Sequence, residues 1–153
     1  MLSQSAGYAI SALGIIAMAN GKPILIKDIA KQGNIPSAYL GKLMHRLGRK
    51  KIIKAQRGIG GGVIMLAPSD IVSLYDICQI FDEPAISQQC LLAVADCSND
   101  RACPCHHFWQ SHRNKLIEFL KKTTIAHMAS FEMRELVRKS MIEEPSHKKK
   151  SSK

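Results

Sequence analysis

Four glycines crowd into five positions, Gly58, Gly60, Gly61 and Gly62, between two short β-type runs. The runs are Ile52-Ile53-Lys54-Ala55 and Val63-Ile64-Met65-Leu66. Glycine at that density excludes a helix, and two strands joined by a glycine-rich turn make a hairpin. A phosphate-cradling nucleotide loop is the competing reading. It fails because no Gly-Lys-Ser/Thr follows and the next element is a strand rather than a helix.

What precedes the hairpin gives it meaning. Ala9, Ile10, Leu13, Ile16 and Ala17 recur at helical spacing between about Gly7 and Asn20. A second, short helix is expected over Ile26–Gln32, closed by Gly33 in a left-handed cap. Pro36 then opens a third. There Leu40, Leu43, Met44 and Leu47 form one buried stripe, while Tyr39, Lys42, Arg46 and Arg49 share another face. Two short helices around Gly33-Asn34-Ile35-Pro36 read as helix-turn-helix, and the hairpin directly after it reads as a wing. The wing glycines would let main chain approach a phosphate backbone or a groove floor, with Arg57 entering a minor groove. A fourth helix is expected over about Leu74–Phe81, opened by Pro68 and Asp70, with Cys78 as core packing.

Charge points the same way. Of 153 residues, 46% are apolar and 22% charged, which excludes wholesale disorder. Residues 1–69 hold ten Lys or Arg and one acid, Asp28, out of a net charge of +10 for the chain. Solubility does not require one sign in one half, so the basic half predicts a polyanionic partner, double-stranded DNA. No apolar run is long enough to span a membrane and no basic start precedes the first apolar stretch, so a cytoplasmic protein is expected.

Four of the five cysteines fall within sixteen residues: Cys90, Cys97, Cys103 and Cys105, with His106 and His107 next. Clustered thiols on loop-forming sequence in a reducing compartment most often hold metal. Structural zinc favours closely paired cysteines, whereas wide gaps suit an iron–sulfur cluster wrapped from several directions. Zinc and metal-free thiols remain alternatives, as does an enzyme with Cys105 as nucleophile and His106 or His107 as base, for which no orienting acid is evident.

Together, Leu2-Ser3-Gln4 through Leu13, Tyr39-Leu40 in the third helix, Arg57-Gly58-Ile59-Gly60-Gly61-Gly62 and Leu74-Tyr75-Asp76-Ile77 resemble the IscR/NsrR/CymR family of winged-helix regulators, over about residues 1–125. The resemblance implies a homodimeric transcription factor on an imperfect palindrome. It matches Pro36, Ser37, Ala38, Tyr39 and Lys42 to positions set against the DNA; with Arg46 on the outer face of the same helix and Arg57 and Gly60 on the wing, Ser37, Ala38, Tyr39, Lys42, Arg46, Arg57 and Gly60 are the expected DNA-binding residues. It also matches Cys90, Cys97 and Cys103 to three cluster ligands, with His106 as the fourth. Cys105 departs from the pattern and is the alternative fourth ligand. The acid that serves as fourth ligand in another branch is absent, since Gly7 stands there and no acid precedes Asp28.

The expected architecture is mainly α with a small β-hairpin: a winged helix-turn-helix domain plus a long C-terminal dimerisation helix. Residues 1–85 would be the DNA-binding domain and 86–107 the cluster loop. Residues 108–141 would be the dimerisation helix, with Trp109, Leu116, Ile117 and Leu120 as its apolar stripe, and a further helical piece. Residues 142–153 would be a disordered basic tail. The expected function is a repressor whose operator affinity depends on a bound cluster, 2Fe–2S ahead of 4Fe–4S, with no membrane or small-molecule substrate.

Overall fold

The structure, a computed structural model, describes residues 2–81, 90–92, 98 and 103–143. The expectations for Cys97 and for the chain beyond residue 143 lie outside the described residues. Six helices and one hairpin are described: α1 (Gln4–Met18), α2 (Ile26–Gln32), α3 (Ser37–Arg49), β1 (Ile53–Gln56), β2 (Gly62–Met65), α4 (Leu74–Phe81), α5 (His106–Lys122) and α6 (Ile125–Glu143). This is the mainly helical winged fold that the sequence implies.

Helix α1 starts three residues earlier than expected because Ser3 caps it, its hydroxyl accepting from Ala6 N at 3.2 Å. It is buried nearly all round, through Ala6, Ala9, Ile10, Ala12, Leu13, Gly14, Ile15 and Ile16. A helix apolar on every side belongs at the centre of a fold. On one side it meets α2, α3 and the hairpin, with Ile29, Leu40, Leu43, Met44 and Leu47 in the core. On the other lies α6. There Gly14 admits the Met128 and Glu132 side chains, where a Cβ would come within 3.2 Å of both, and Ser11 Oγ donates to Glu132 Oε1 at 2.8 Å.

That contact changes the reading of the C-terminal half. The further helical piece packs back on the winged module, because Ser11 and Gly14 leave a small-residue seam along α1. The core accordingly reaches past residue 85 to take in Leu120 and Ile125. The α5–α6 junction is pinned by backbone bonds, Leu74 N to Thr123 O at 2.8 Å and Ile125 N to Val72 O at 2.9 Å.

Two helix boundaries form differently from expectation. Gly33 is right-handed (φ −83°), and Asn34 takes the left-handed place (φ +50°). Glycine at 33 serves packing instead: a Cβ there would sit 3.0 Å from the Ile35 side chain and 3.2 Å from that of Ile15. Helix α4 is opened by a capping box rather than by Pro68 and Asp70. Ser73 Oγ accepts from Asp76 N at 3.2 Å while Asp76 Oδ2 accepts from Ser73 N at 2.9 Å.

The hairpin is antiparallel, with Ile53 opposite Met65 and Gln56 opposite Gly62. It docks through Ile24, whose N–H and C=O exchange bonds with Val63 at 3.1 and 2.8 Å.

Candidate nucleic-acid interface and thiol segment

The buried stripe of α3 places Ala38, Lys42, His45 and Arg49 along the opposite ridge, at helical spacing and all exposed. Ser37 is exposed at the start of the helix. His45 is the residue that sequence reasoning missed. The signal was present, since residues opposite a stripe at 40, 43, 44 and 47 must fall at 38, 42, 45 and 49.

Two residues expected on that outer face are turned onto neighbours. Tyr39 is half-buried, its hydroxyl bonded to Ser5 Oγ at 2.5 Å and its ring edge-on to Tyr8 with centroids 5.9 Å apart. It knits α3 to α1. Arg46 donates from Nη2 to Ile80 O, and its guanidinium lies 4.6 Å from the centre of the Phe81 ring. Charge over a ring face adds roughly 0.5–1 kcal/mol at an exposed site. Arg46 thus clasps α3 to the last turn of α4, beside a cleft of about 330 Å³ lined by Arg46, Arg49, Lys50 and Ile80.

On the wing, Arg57, Gly58, Ile59 and Gly60 are all exposed. The glycines divide by task. Gly58 and Gly60 hold φ of +97° and +75° with open space where a Cβ would stand. Gly61 and Gly62 serve the hairpin itself. A Cβ at Gly61 would lie 2.4 Å from Gln56 O, and one at Gly62 would lie 2.6 Å from Ile24 O. Close approach to a ligand is therefore open to the first pair only. Between the wing and the start of α2 runs a cleft of about 640 Å³, lined by Leu25, Ile26, Ala55, Val63 and the loop glycines.

The described part of the thiol segment sits at the start of α5. Cys90, Cys103 and Cys105 are half-buried, and their thiols and that of buried Cys78 are free of disulfides. His106 is buried at 5% exposure, and its backbone N–H donates to Cys103 O at 3.0 Å, which joins Cys103 and His106 in one turn. Cys105 stands at the N-cap position. Among the described residues no three His, Cys, Asp or Glu side chains come together as a metal site; Cys97 is outside them.

Helix α5 has two apolar faces where one stripe was expected. Leu120 is buried, and Trp109 and Ile117 are half-buried. The second face, Phe108, Leu116 and Phe119, is exposed, with the Phe108 ring 4.0 Å from that of His112. From Phe131 onward α6 also exposes Phe131, Met133, Leu136, Val137 and Met141. A hydrogen bond from Lys122 holds the Glu118 carboxyl below its ordinary range, and one from Arg138 does the same to Glu135. Both pairs are surface pairs that add little stability. No described helix is long and apolar enough to cross a membrane.

The sequence profile of the Rrf2 family, described as an iron-dependent transcriptional regulator, matches residues 2–130. The chain belongs to the Rrf2 family. An HTH-type transcriptional regulator of Aquifex aeolicus is 29% identical over 138 residues, 89% of this chain and 96% of that protein. IscR of Sodalis glossinidius, an HTH-type transcriptional regulator, is 27% identical over 132 residues, 86% of this chain and 79% of its own. The solved structure of CymR, the global cysteine regulator of B. subtilis, is similar with a TM-score of 0.71 at 23% identity, covering 86% of this chain and 97% of that one. As an Rrf2 protein the chain is a DNA-binding transcriptional regulator, and its winged helix-turn-helix is the fold of that family. The iron in the Rrf2 description has a chemical counterpart here. Cysteine thiols outside any disulfide and a histidine imidazole are donors of the kinds that iron–sulfur clusters take, so the residues present fit the group in kind.

Proposed function

We propose that this chain is a homodimeric repressor whose grip on its operator is set by an iron–sulfur cluster, 2Fe–2S ahead of 4Fe–4S. Cys90, Cys97, Cys103 and His106 would hold the cluster, with Cys105 the alternative to His106. When bound, such a group supplies reversible one-electron chemistry and sensitivity to oxidants.

The observation that carries the proposal is the Arg46 clasp. Helix α3 is fastened to Ile80 and Phe81, and the thiol-bearing stretch follows Phe81 directly, ending in the Cys103–His106 turn that starts α5. A change at the thiols therefore has a short covalent route to the helix that faces DNA, and a local change of ligation or redox state with a distant readout is a recognised switching device. A buried imidazole among the ligands raises a cluster's potential relative to an all-thiolate site. The exposed apolar faces of α5 and distal α6 support pairing with a second copy. Such a pair would set its two α3 helices about one turn of DNA apart, roughly 34 Å.

On DNA, Ser37, Ala38, Lys42 and His45 face base edges, Arg49 the backbone, and Arg57 with Gly60 the minor groove. Tyr39 and Arg46 lie at the border of this surface and act from their intramolecular contacts. Arg57→Ala is expected to weaken binding to a selected duplex about tenfold and to lower the salt-dependence slope by about one. Fluorescence anisotropy at two salt concentrations measures both, and unchanged affinity would remove the wing from the interface. Anaerobic purification tests the sensor. Brown protein with visible charge-transfer absorbance and bound iron supports the cluster; colourless protein carrying zinc contradicts it.

A further inference from the structure

Ile59 stands at the tip of the wing, fully exposed, between Gly58 and Gly60. Nothing lies within 4 Å of either glycine's Cβ position. The tip is thus bare backbone on both sides of one β-branched apolar side chain, two residues from Arg57. Single exposed apolar residues are ordinary on a surface. This one differs in its place: it is fully exposed at the turn of the hairpin, on a basic module, and no described residue covers it.

We propose that Ile59 seats on the floor of the DNA minor groove and makes the wing prefer A·T over G·C pairs beside each half-site. The proposal rests on the DNA-reading function above and names what that site reads. In the minor groove A·T pairs present only acceptors, whereas G·C adds the guanine 2-amino donor. Under an isoleucine that amino group is buried without an acceptor, which costs more than the contact returns. An A·T floor lacks the protruding group. Its narrower groove brings sugar walls against the apolar side chain and deepens the negative potential that draws Arg57. Apolar side chains set in the minor groove beside basic ones are an established way to grip DNA.

The test uses the full-length protein and duplexes selected from a random pool. At flanking positions protected from hydroxyl radicals, A·T pairs are replaced by G·C and by inosine·C, which keeps the G·C pattern in the major groove but lacks the 2-amino group. Wild type is expected to lose roughly tenfold on G·C and to recover on inosine·C. Ile59→Ser, with unchanged Tm, should lose most of that discrimination and keep only the smaller part owed to Arg57, and Ile59→Leu should keep the full preference. Inosine·C as poor as G·C, or full discrimination by Ile59→Ser, overturns the proposal. Failure of wild type to enrich any sequence overturns the DNA-reading function itself, and this proposal with it.

Discussion

Gly62→Val is expected to destabilise the protein by roughly 2–4 kcal/mol. A Cβ at position 62 would lie 2.6 Å from Ile24 O and 2.9 Å from Ile24 N, where the hairpin docks on the helical body. Backbone is the obstacle, so no rotamer relieves it. The φ of +158° adds strain for any L side chain. The bonds at stake are the two between Ile24 and Val63, each contributing about 0.5–1.5 kcal/mol. In a chain of this size the loss corresponds to a fall in Tm of about 6–12 °C, read by calorimetry. DNA affinity should fall with it, because Arg57 is positioned only while the wing is docked. Gly60→Ala is the comparison. It has a φ of +75° but open space around it, and is expected to cost only about 1 kcal/mol. A Gly62→Val protein as stable as Gly60→Ala would show that the Ile24 bridge does not anchor the wing.

Cys97→Ser is expected to abolish the visible absorbance of anaerobically prepared protein. A cluster relies on thiolates, and a serine oxygen is a poor substitute for one. Cys105→Ser should retain full colour, since His106 and not Cys105 is assigned as the fourth ligand. His106→Ala should leave a more labile, spectrally altered chromophore, because the imidazole is one ligand of four. Full colour in Cys97→Ser displaces the ligand assignment, and loss of colour in Cys105→Ser transfers the fourth place from His106 to Cys105. Iron determination on each variant separates loss of the cluster from a change in its spectrum.

Much of the fold was legible locally. Ile26–Gln32, the stripe Leu40, Leu43, Met44 and Leu47, and the hairpin around its glycines all follow from periodicity and turn chemistry within a dozen residues. What escaped depends on partners distant in the chain. Nothing near Gly14 announces Met128 and Glu132, and nothing near Gly62 announces Ile24. Arg46 and Tyr39 look like outer-face residues on a helical wheel. Their places at its edge let Phe81 and Ser5 claim them. Their neighbour His45 lies squarely opposite the buried stripe and keeps its exposure. Residue type alone points to a left-handed cap at Gly33, whereas Asn34 takes that conformation and the small side of Gly33 is needed against Ile15 and Ile35. In the candidate site the residue types were readable and the division of labour was not. Whether a glycine serves a ligand or its own hairpin is decided by what lies across from it in space.

One titration bears most directly on the link between the thiol segment and the DNA-facing helix. A selected duplex is titrated under anaerobic conditions with cluster-loaded protein and with protein from the same batch stripped by chelation, for wild type and for Arg46→Ala. Wild type should show affinities differing by about tenfold or more between the two forms, and Arg46→Ala should show none of that difference while still binding DNA. Equal affinity of loaded and stripped wild-type protein would contradict the coupling on which the proposed regulation depends.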